Sequence, residues 1–514
     1  MKLPVFVFAS LVAVAWPLAG WAQSPSGANI DAAAAVPAIE ATLIEAIARA
    51  EPSVVAISRS TRDQPAPATR SIEDLFRELR VEPAATHSAT TGAGVIIDSA
   101  GLVLTQYLAV REGDEHLVTT IDGQTHPATI RAADPRSGLA VLAIQPATQP
   151  PATPRQRSGN ATNTVSATFP AIRFGDAAKL RKGQFLIAIG NPFAIQSDGQ
   201  PTASWGIVTN LARKAPANTN LNDAPGQLDD YRTTLHHLGT LIQTDAKLGW
   251  SAGGGAVVTM RGELVGLTTT AATIAGHEQP AGYAIPINPT FRRIIDTLKQ
   301  GREVEYGMLG VSFGQAPLVA VPGSPLPPRI PRVTVGQVFP GSPAARAGLQ
   351  TGDIVTHVGE QPVDGIDAIQ LAVSTLPPST TTTIQYERGG RSAATDVRLA
   401  KLAVAGKKIA TVRPDGWRGI HVDYATALDA TELMQAITSN SLDPAGCVLV
   451  TEVEPDSAAW QAGVRAGMFI SHVGNKRVAT PDEFRVAVQN VGDELDIRLT
   501  RPIMPASPES QPQQ

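Results

Sequence analysis

The chain has 514 residues, with 42 Lys and Arg against 46 Asp and Glu and a formal charge of −4. That length predicts about three domains, and a near-neutral balance with no large basic patch argues against nucleic acid as a partner. Cys447 is the only cysteine, so the chain offers neither an intrachain disulfide nor a cysteine-based metal site. No metal or cofactor is expected.

Met1-Lys2 precedes an apolar run at 5–15, and Gly20-Trp-Ala22 precedes Gln23. A charged start, a short apolar stretch and a small-x-small end predict a signal peptide over 1–22. The run is too short to span a bilayer, so no transmembrane anchor is expected after cleavage. The mature chain is expected in a periplasm or outside the cell. Residues 23–41 are rich in Ala and Ser and read as a disordered leader. Helical spacing at 42–50 leads into the apolar run 53–58, a first strand. Residues 63–91 read as a surface loop holding a short helix at 72–79. Gly92-Ala-Gly-Val-Ile-Ile-Asp98 and Leu102-Val-Leu-Thr105 follow as strands. The stretch 147–171, rich in Pro, Thr, Ser and Asn, reads as an unstructured insertion.

Three segments carry a family signature. The first is Gly101-Leu-Val-Leu-Thr105-Gln-Tyr-Leu108-Ala-Val110. The second is Asp134-Pro-Arg-Ser137-Gly138-Leu-Ala-Val-Leu142. The third is Thr244-Asp-Ala-Lys-Leu-Gly-Trp-Ser251-Ala-Gly253-Gly-Gly, followed by Gly262-Glu-Leu-Val-Gly266. With Gly183-Gln-Phe-Leu-Ile-Ala-Ile-Gly190-Asn-Pro-Phe193, Trp205-Gly-Ile-Val208 and Gly282-Tyr-Ala-Ile-Pro-Ile287, they resemble the landmarks of HtrA-type trypsin-like serine proteases over about 42–300. The resemblance implies a double β-barrel, and it places the catalytic histidine on Leu108, the aspartate on Gly138 and the serine on Gly253. A triad needs a hydroxyl, an imidazole to take its proton and a carboxylate to orient that imidazole. Leu108, Gly138 and Gly253 supply none of these. Gly249-Trp-Ser251-Ala-Gly253 matches G-x-S-x-G, so Ser251 is the alternative nucleophile, although the strand–turn–helix context of that pattern is missing. Among His87, His116, His126, His236, His237 and His277, the pair His236-His237 is the nearest candidate for a relocated base, with a solvated loop as the plainer reading.

Beyond residue 300 the chain repeats. Pro340-Gly-Ser-Pro-Ala-Ala-Arg-Ala-Gly348-Leu-Gln-Thr-Gly352-Asp-Ile-Val-Thr-His357-Val-Gly359 returns as Pro455-Asp-Ser-Ala-Ala-Trp-Gln-Ala-Gly463-Val-Arg-Ala-Gly467-Met-Phe-Ile-Ser-His472-Val-Gly474, each pair offset by 115 residues. A period that long denotes two domains rather than stacked repeats. The pattern resembles PDZ domains of the HtrA type. The resemblance implies that an extended peptide adds as a strand at a sheet edge, its C-terminal carboxylate held by N–H groups of a glycine-bearing loop. The matching loops contain Met308, Leu309, Gly310 and Val311 in the first copy, and Arg418, Gly419 and Ile420 in the second. Gly348 and Gly463 are expected to end helical turns at positive φ. Leu309 and Ile420 have core packing as an alternative role, and His357 and His472 read as strand residues that pack. A Pro-rich insertion at 316–331 lies near the first groove.

The expected fold is therefore mostly β: a trypsin-like double barrel followed by two PDZ domains, each α+β with a small, partly open barrel. The expected divisions are 1–22, 23–41, 42–300 for the protease-like domain, 303–402 and 415–503 for the PDZ domains, and a disordered tail at 504–514. The polar stretches 301–305 and 401–416 read as exposed connectors. Two functions stand open. One is a pseudoprotease that binds peptides or unfolded proteins by their C-termini. The other is an active endopeptidase using Ser251. The family resemblance also implies a homotrimer, or assembly with an active paralogue.

Overall fold

A computed structural model of the chain describes residues 32–60, 90–145, 168–191, 200–215, 234–247, 253–269, 282–315, 332–439, 441–489 and 496–500. The expected signal peptide, the 72–79 helix, most of the 147–171 insertion, Ser251, the 316–331 insertion and the tail lie outside these residues. A helix at Ala32–Ala50 buries Ala46 and Ala50 and runs into the first strand. Six strands then form the first barrel: β1 (Val54–Ser60), β2 (Thr90–Asp98), β3 (Leu102–Gln106), β4 (Glu115–Thr119), β5 (Thr125–Asp134) and β6 (Leu139–Ile144). They pair in the order β5-β4-β1-β2-β3-β6, and β5 pairs with β6 to close the ring.

The second barrel follows with β7 (Arg173–Phe174), β8 (Phe185–Gly190), β9 (Thr202–Arg213), β10 (Leu241–Thr244), β11 (Ala256–Val258), β12 (Glu263–Thr269) and β13 (Gly282–Pro286). Its ring runs β11-β8-β9-β10-β13-β12, closed by β11 on β12, with β7 added outside β12. The period-2 geometry of strands sorts the side chains. On β8, Leu186 and Ala188 face the interior of the second barrel, while Ile187 and Ile189 enter a core shared with Val95, Leu104, Leu139 and Val141 of the first. The site segments lie on the strands that frame this shared core.

A helix at Pro289–Lys299, capped by Asn288, leads out of the barrels. The first PDZ domain then holds β14 (Gly307–Met308), β15 (Val311–Gln315), β16 (Val333–Val338), β17 (Ile354–Val358), β18 (Gln361–Pro362), β19 (Thr381–Arg388), β20 (Arg391–Arg398) and β21 (Ala400–Lys401). Its groove-side helix is Ile366–Ser374. After β22 (Ile409–Ala410), the second domain repeats the plan with β23 (Ile420–Tyr424), β24 (Val448–Val453), β25 (Phe469–Val473), β26 (Lys476–Arg477), β27 (Ile497–Thr500) and a helix at Pro481–Gln489. Ser342 and Ser457 each cap a short helical turn through their hydroxyls. Gly348 and Gly463 close those turns at φ +79° and +86°, as the pattern predicts.

The polar stretch 401–416 differs from the exposed connector expected. Ile409 and Ala410 pair with Ala133 and Ala132 on β5, so β22 becomes an extra strand of the first barrel sheet. The Tyr107 hydroxyl donates to the Lys407 carbonyl at 2.9 Å, and Thr411 Oγ1 donates to the Arg131 carbonyl at 2.8 Å. Lys401, almost fully buried, meets Asp423 at 2.7 Å, Glu305 at 3.1 Å and Glu303 at 3.2 Å. A buried ammonium is tolerated only when paired, and here three carboxylates from both sides of the first PDZ domain supply the pairing. Lys214 bonds Asp367, and Arg293 Nη2 donates to the Thr375 carbonyl at 2.6 Å, fixing the groove-side helix against the second barrel.

Candidate functional site

The three triad positions come together in space. Leu108 sits in a single helical turn, Tyr107–Ala109, directly after β3, and is 60% exposed. The Tyr107 amide donates to the Gly138 carbonyl at 2.7 Å. The Ala93 amide donates to the Gly253 carbonyl at 3.0 Å, which sets Gly253 beside Gly92 and hence beside Ala109. The three segments are therefore neighbours in space, and Leu108, Gly138 and Gly253 carry no hydroxyl, imidazole or carboxylate.

The space those side chains would use is taken. A β-carbon on Gly253 would collide with the side-chain amide of Gln106, the last residue of β3. A β-carbon on Gly138 would stand 2.6 Å from Nε2 of His236, and Gly138 already holds φ +70°. Gly254, at φ +92°, has its amide bonded to the Thr268 carbonyl at 2.8 Å. Gln106 and His236 are residues that motif reading passes over. Gln106 ends β3 two residues before Leu108, and its place in the first of the three segments is the signal the sequence offers. His236 is brought in from a turn far along the chain, and no local signal announces it.

His236 is 1% exposed, and neither ring nitrogen has a hydrogen-bond partner among the described residues. Burial pushes its pKa down to about 4, helped by neighbouring His237. A general base must reach its substrate's proton, and a neutral imidazole sealed inside the fold does not. His237 bonds Thr234 Oγ1 at 2.9 Å. His116 is buried and accepts from the Arg111 amide, and His126 lies edge-on to Phe169. His87 and His277 lie outside the described residues, as does Ser251. On the aspartate-position loop, buried Asp134 accepts from the Ser137 amide at 2.8 Å and from the Tyr306 hydroxyl. Burial raises the Asp134 carboxyl above its ordinary value despite those donors, and raises Tyr306 as well. That carboxylate belongs to the junction with the first PDZ domain.

The two PDZ loops are placed alike. Gly310 packs against Ser342, and Gly419 against Ser457. The Leu309 and Ile420 side chains fill the two domain cores, 4% and 2% exposed, so their groove role is left to backbone. Met308 pairs with Ala400, half-buried Val311 begins the edge strand β15, and exposed Arg418 lies over the Trp417 ring at 4.8 Å. Among the described residues, β15 pairs only with β16, and β23 only with β24. His357 and His472 lie on β17 and β25, partly buried, as the pattern suggested.

Comparison with known families settles the architecture. A trypsin-like peptidase domain model matches residues 92–267, and two PDZ domain models match 307–399 and 449–501. The chain carries a trypsin-like peptidase domain followed by two PDZ domains, and its curated relatives are named as DegP-like and HhoA serine proteases. A DegP-like periplasmic serine endoprotease of Chlamydia trachomatis is 26% identical over 402 residues, covering 78% of this chain and 70% of that one. The serine protease HhoA of Synechocystis is 28% identical over 391 residues, covering 74% and 89%. Among solved structures, the HtrA-type protease AlgW with a decapeptide aligns at TM-score 0.47 and 22% identity, covering 70% of this chain and 98% of that one. With relatives named as periplasmic, the protein is an exported one. Among the described residues, no helix is long and apolar enough to cross a membrane.

Proposed function

We propose that this exported protein is an HtrA-type pseudoprotease that binds peptides or unfolded proteins by their C-termini through PDZ domains. The observation that carries the reading is the filled triad site. Leu108, Gly138 and Gly253 meet in space and offer no reacting group, and a side chain at Gly138 or Gly253 would meet His236 or Gln106. In a serine protease whose triad is removed, about 10³-fold catalysis over water persists from binding and oxyanion donors, against a loss on the order of 10⁶ in kcat. The glycine loops and the edges of β15 and β23, unpaired among the described residues, support the binding role. Assembly with its own copies or with an active paralogue, and cleavage of a signal peptide at 1–22, belong to the same proposal.

Casein digestion tests it. Purified mature protein is expected to cleave casein no faster than its Ser251→Ala variant. Cleavage that disappears in Ser251→Ala would instead establish Ser251 as a displaced nucleophile. Restoring Leu108→His, Gly138→Asp and Gly253→Ser together is expected to give no activity until Gln106→Asn and His236→Ala make room.

A further inference from the structure

We propose that only the first PDZ domain captures a C-terminal carboxylate, because the loop of the second is closed by a hairpin of its own. The proposal rests on the peptide-binding reading above and names which groove serves it. The two loops are equivalent by contact. Besides the matched glycine–serine packing, the Phe339 amide donates to the Gly310 carbonyl at 3.1 Å, and the Glu454 amide to the Gly419 carbonyl at 2.8 Å. Phe339 and Glu454 are related by the 115-residue offset, as are the starts of the two groove-side helices.

The backbone hand then separates them. In the first loop only Gly310 has positive φ, +74°, and Leu309 before it stays in the ordinary negative region. Alternating hand in successive residues turns neighbouring N–H groups toward one side, the geometry of an anion-binding nest. Among the described residues no hydrogen bond joins the Val311 amide to Met308, which is occupied with β21 instead. In the second loop Arg418 and Gly419 are both positive, +50° and +83°. Two consecutive positive values make a two-residue primed hairpin turn. Trp417 and Ile420 accordingly exchange a pair of backbone bonds, each 2.9 Å. The Ile420 amide, counterpart of Val311, is therefore already spent.

Side chains hold the closed turn. Left-handed geometry is unfavourable for a non-glycine residue, and Arg418 adopts it with its guanidinium over the Trp417 ring. The Trp417 ring in turn stands edge-on to Phe484, centroids 6.3 Å apart, and Phe484 is rooted in the domain core. This indole lies between the loop and the helix that would form the other groove wall. The first domain has Met308 at the matching loop position and Ile369 at the matching helix position.

Calorimetric titration of the full chain with a ten-residue peptide ending in leucine, as free acid and as amide, tests this. One free-acid site per chain is expected, weakened at least ~10-fold by amidation, on the scale of a charge-assisted hydrogen bond. Gly310→Ala should abolish that site, while Gly419→Ala, which meets the matching serine, should leave its Kd within about twofold. Trp417→Met with Arg418→Leu should open a second site. Two sites in the unmodified chain, equal losses in both glycine variants, or a single site retained after opening would overturn the assignment. Should Gly310→Ala fail to fold, the count before and after opening still decides it. No free-acid binding, or equal binding of acid and amide, would overturn the peptide-terminus reading and this assignment with it.

Discussion

The two PDZ domains are built from one sequence pattern and put it to different use. Ser342 and Ser457 cap the same turn, Gly348 and Gly463 close it, and the two groove-side helices begin 115 residues apart. Yet the first domain is bound to the barrels on several sides and has an open loop, whereas the second touches the first and has a closed one. The buried chemistry differs too. Asp353 of the first domain is almost wholly buried and bonds Arg388 at 2.6 and 2.7 Å, while the equivalent position in the second holds Met468. Small residues and caps set the domain fold. A change of hand at one residue, or one buried charge, sets what the domain can do.

The comparison breaks most sharply at Lys401, which ties the first domain to residues on both sides of it. Lys401→Met leaves Glu305 and Asp423 without their cation, while Glu303 keeps Lys408 at 2.6 Å. These carboxylates are partly exposed, so a loss of about 3 kcal/mol, the low end for a broken buried pair, is expected from urea midpoints. Burial alone would raise the Glu303 carboxyl, but Lys401 and Lys408 outweigh it and hold it below the ordinary 4.5. A depressed carboxylate stabilises the fold above its ordinary pKa, and that contribution is lost as pH falls through the lower native value. The parent should therefore lose stability below about pH 4.5, more steeply than Lys401→Met does.

Arg388→Met tests the first domain's own buried charge. Asp353 would keep only the Gln350 amide, at 2.8 Å, in a site where burial raises its carboxyl and Arg388 now lowers it. Arg388 is partly exposed, so a loss of about 2 kcal/mol is expected rather than the full value for a buried pair. The matching change at Met468 has no such partner to strand. A loss under ~0.5 kcal/mol for Arg388→Met, the size of an ordinary surface change, would show that the pair does not distinguish the domains.

A smaller effect is expected at His236, beside the helix that docks the first domain. Removing an unpartnered buried polar group in favour of an apolar one is near neutral or stabilising, by up to about 1 kcal/mol, so His236→Leu should not lower the melting temperature at pH 7.5. Its native pKa of about 4 lies below the ordinary 6.5, so the unfolded chain takes up the proton first. Parent stability should fall from pH 6.5 toward 4, and His236→Leu should flatten that limb.

The connector prediction is qualitative. Sequence composition marks 301–305 and 401–416 for proteolytic nicking, whereas the β22 pairing and the Lys401 cluster protect them. Limited proteolysis should leave both stretches uncut, and rapid cutting there would release the first domain from the barrel.

Much of the fold is legible in the chain because glycine, capping serine and alternating apolar residues are local signals. Gly206 and Gly262 mark a close approach and a barrel turn, and the Ser-x-Ala-x-x-Ala-Gly runs mark the PDZ turns. Four things were not legible. β22 forms from two modest residues because β5 offers an edge, which is a tertiary cause. Lys401 reads as a surface lysine until its three carboxylates are placed around it. Gln106 and His236 reveal themselves as fillers only when Gly253 and Gly138 stand beside them. The same holds at Arg418, whose backbone hand no composition announces.

The central claim is the absence of a nucleophile. Incubation of the mature protein with an alkyl fluorophosphonate, followed by intact mass measurement, tests it most directly. The filled site predicts an unmodified mass after prolonged exposure, for the parent and for Ser251→Ala alike. A single time-dependent adduct on the parent, absent from Ser251→Ala, would contradict it.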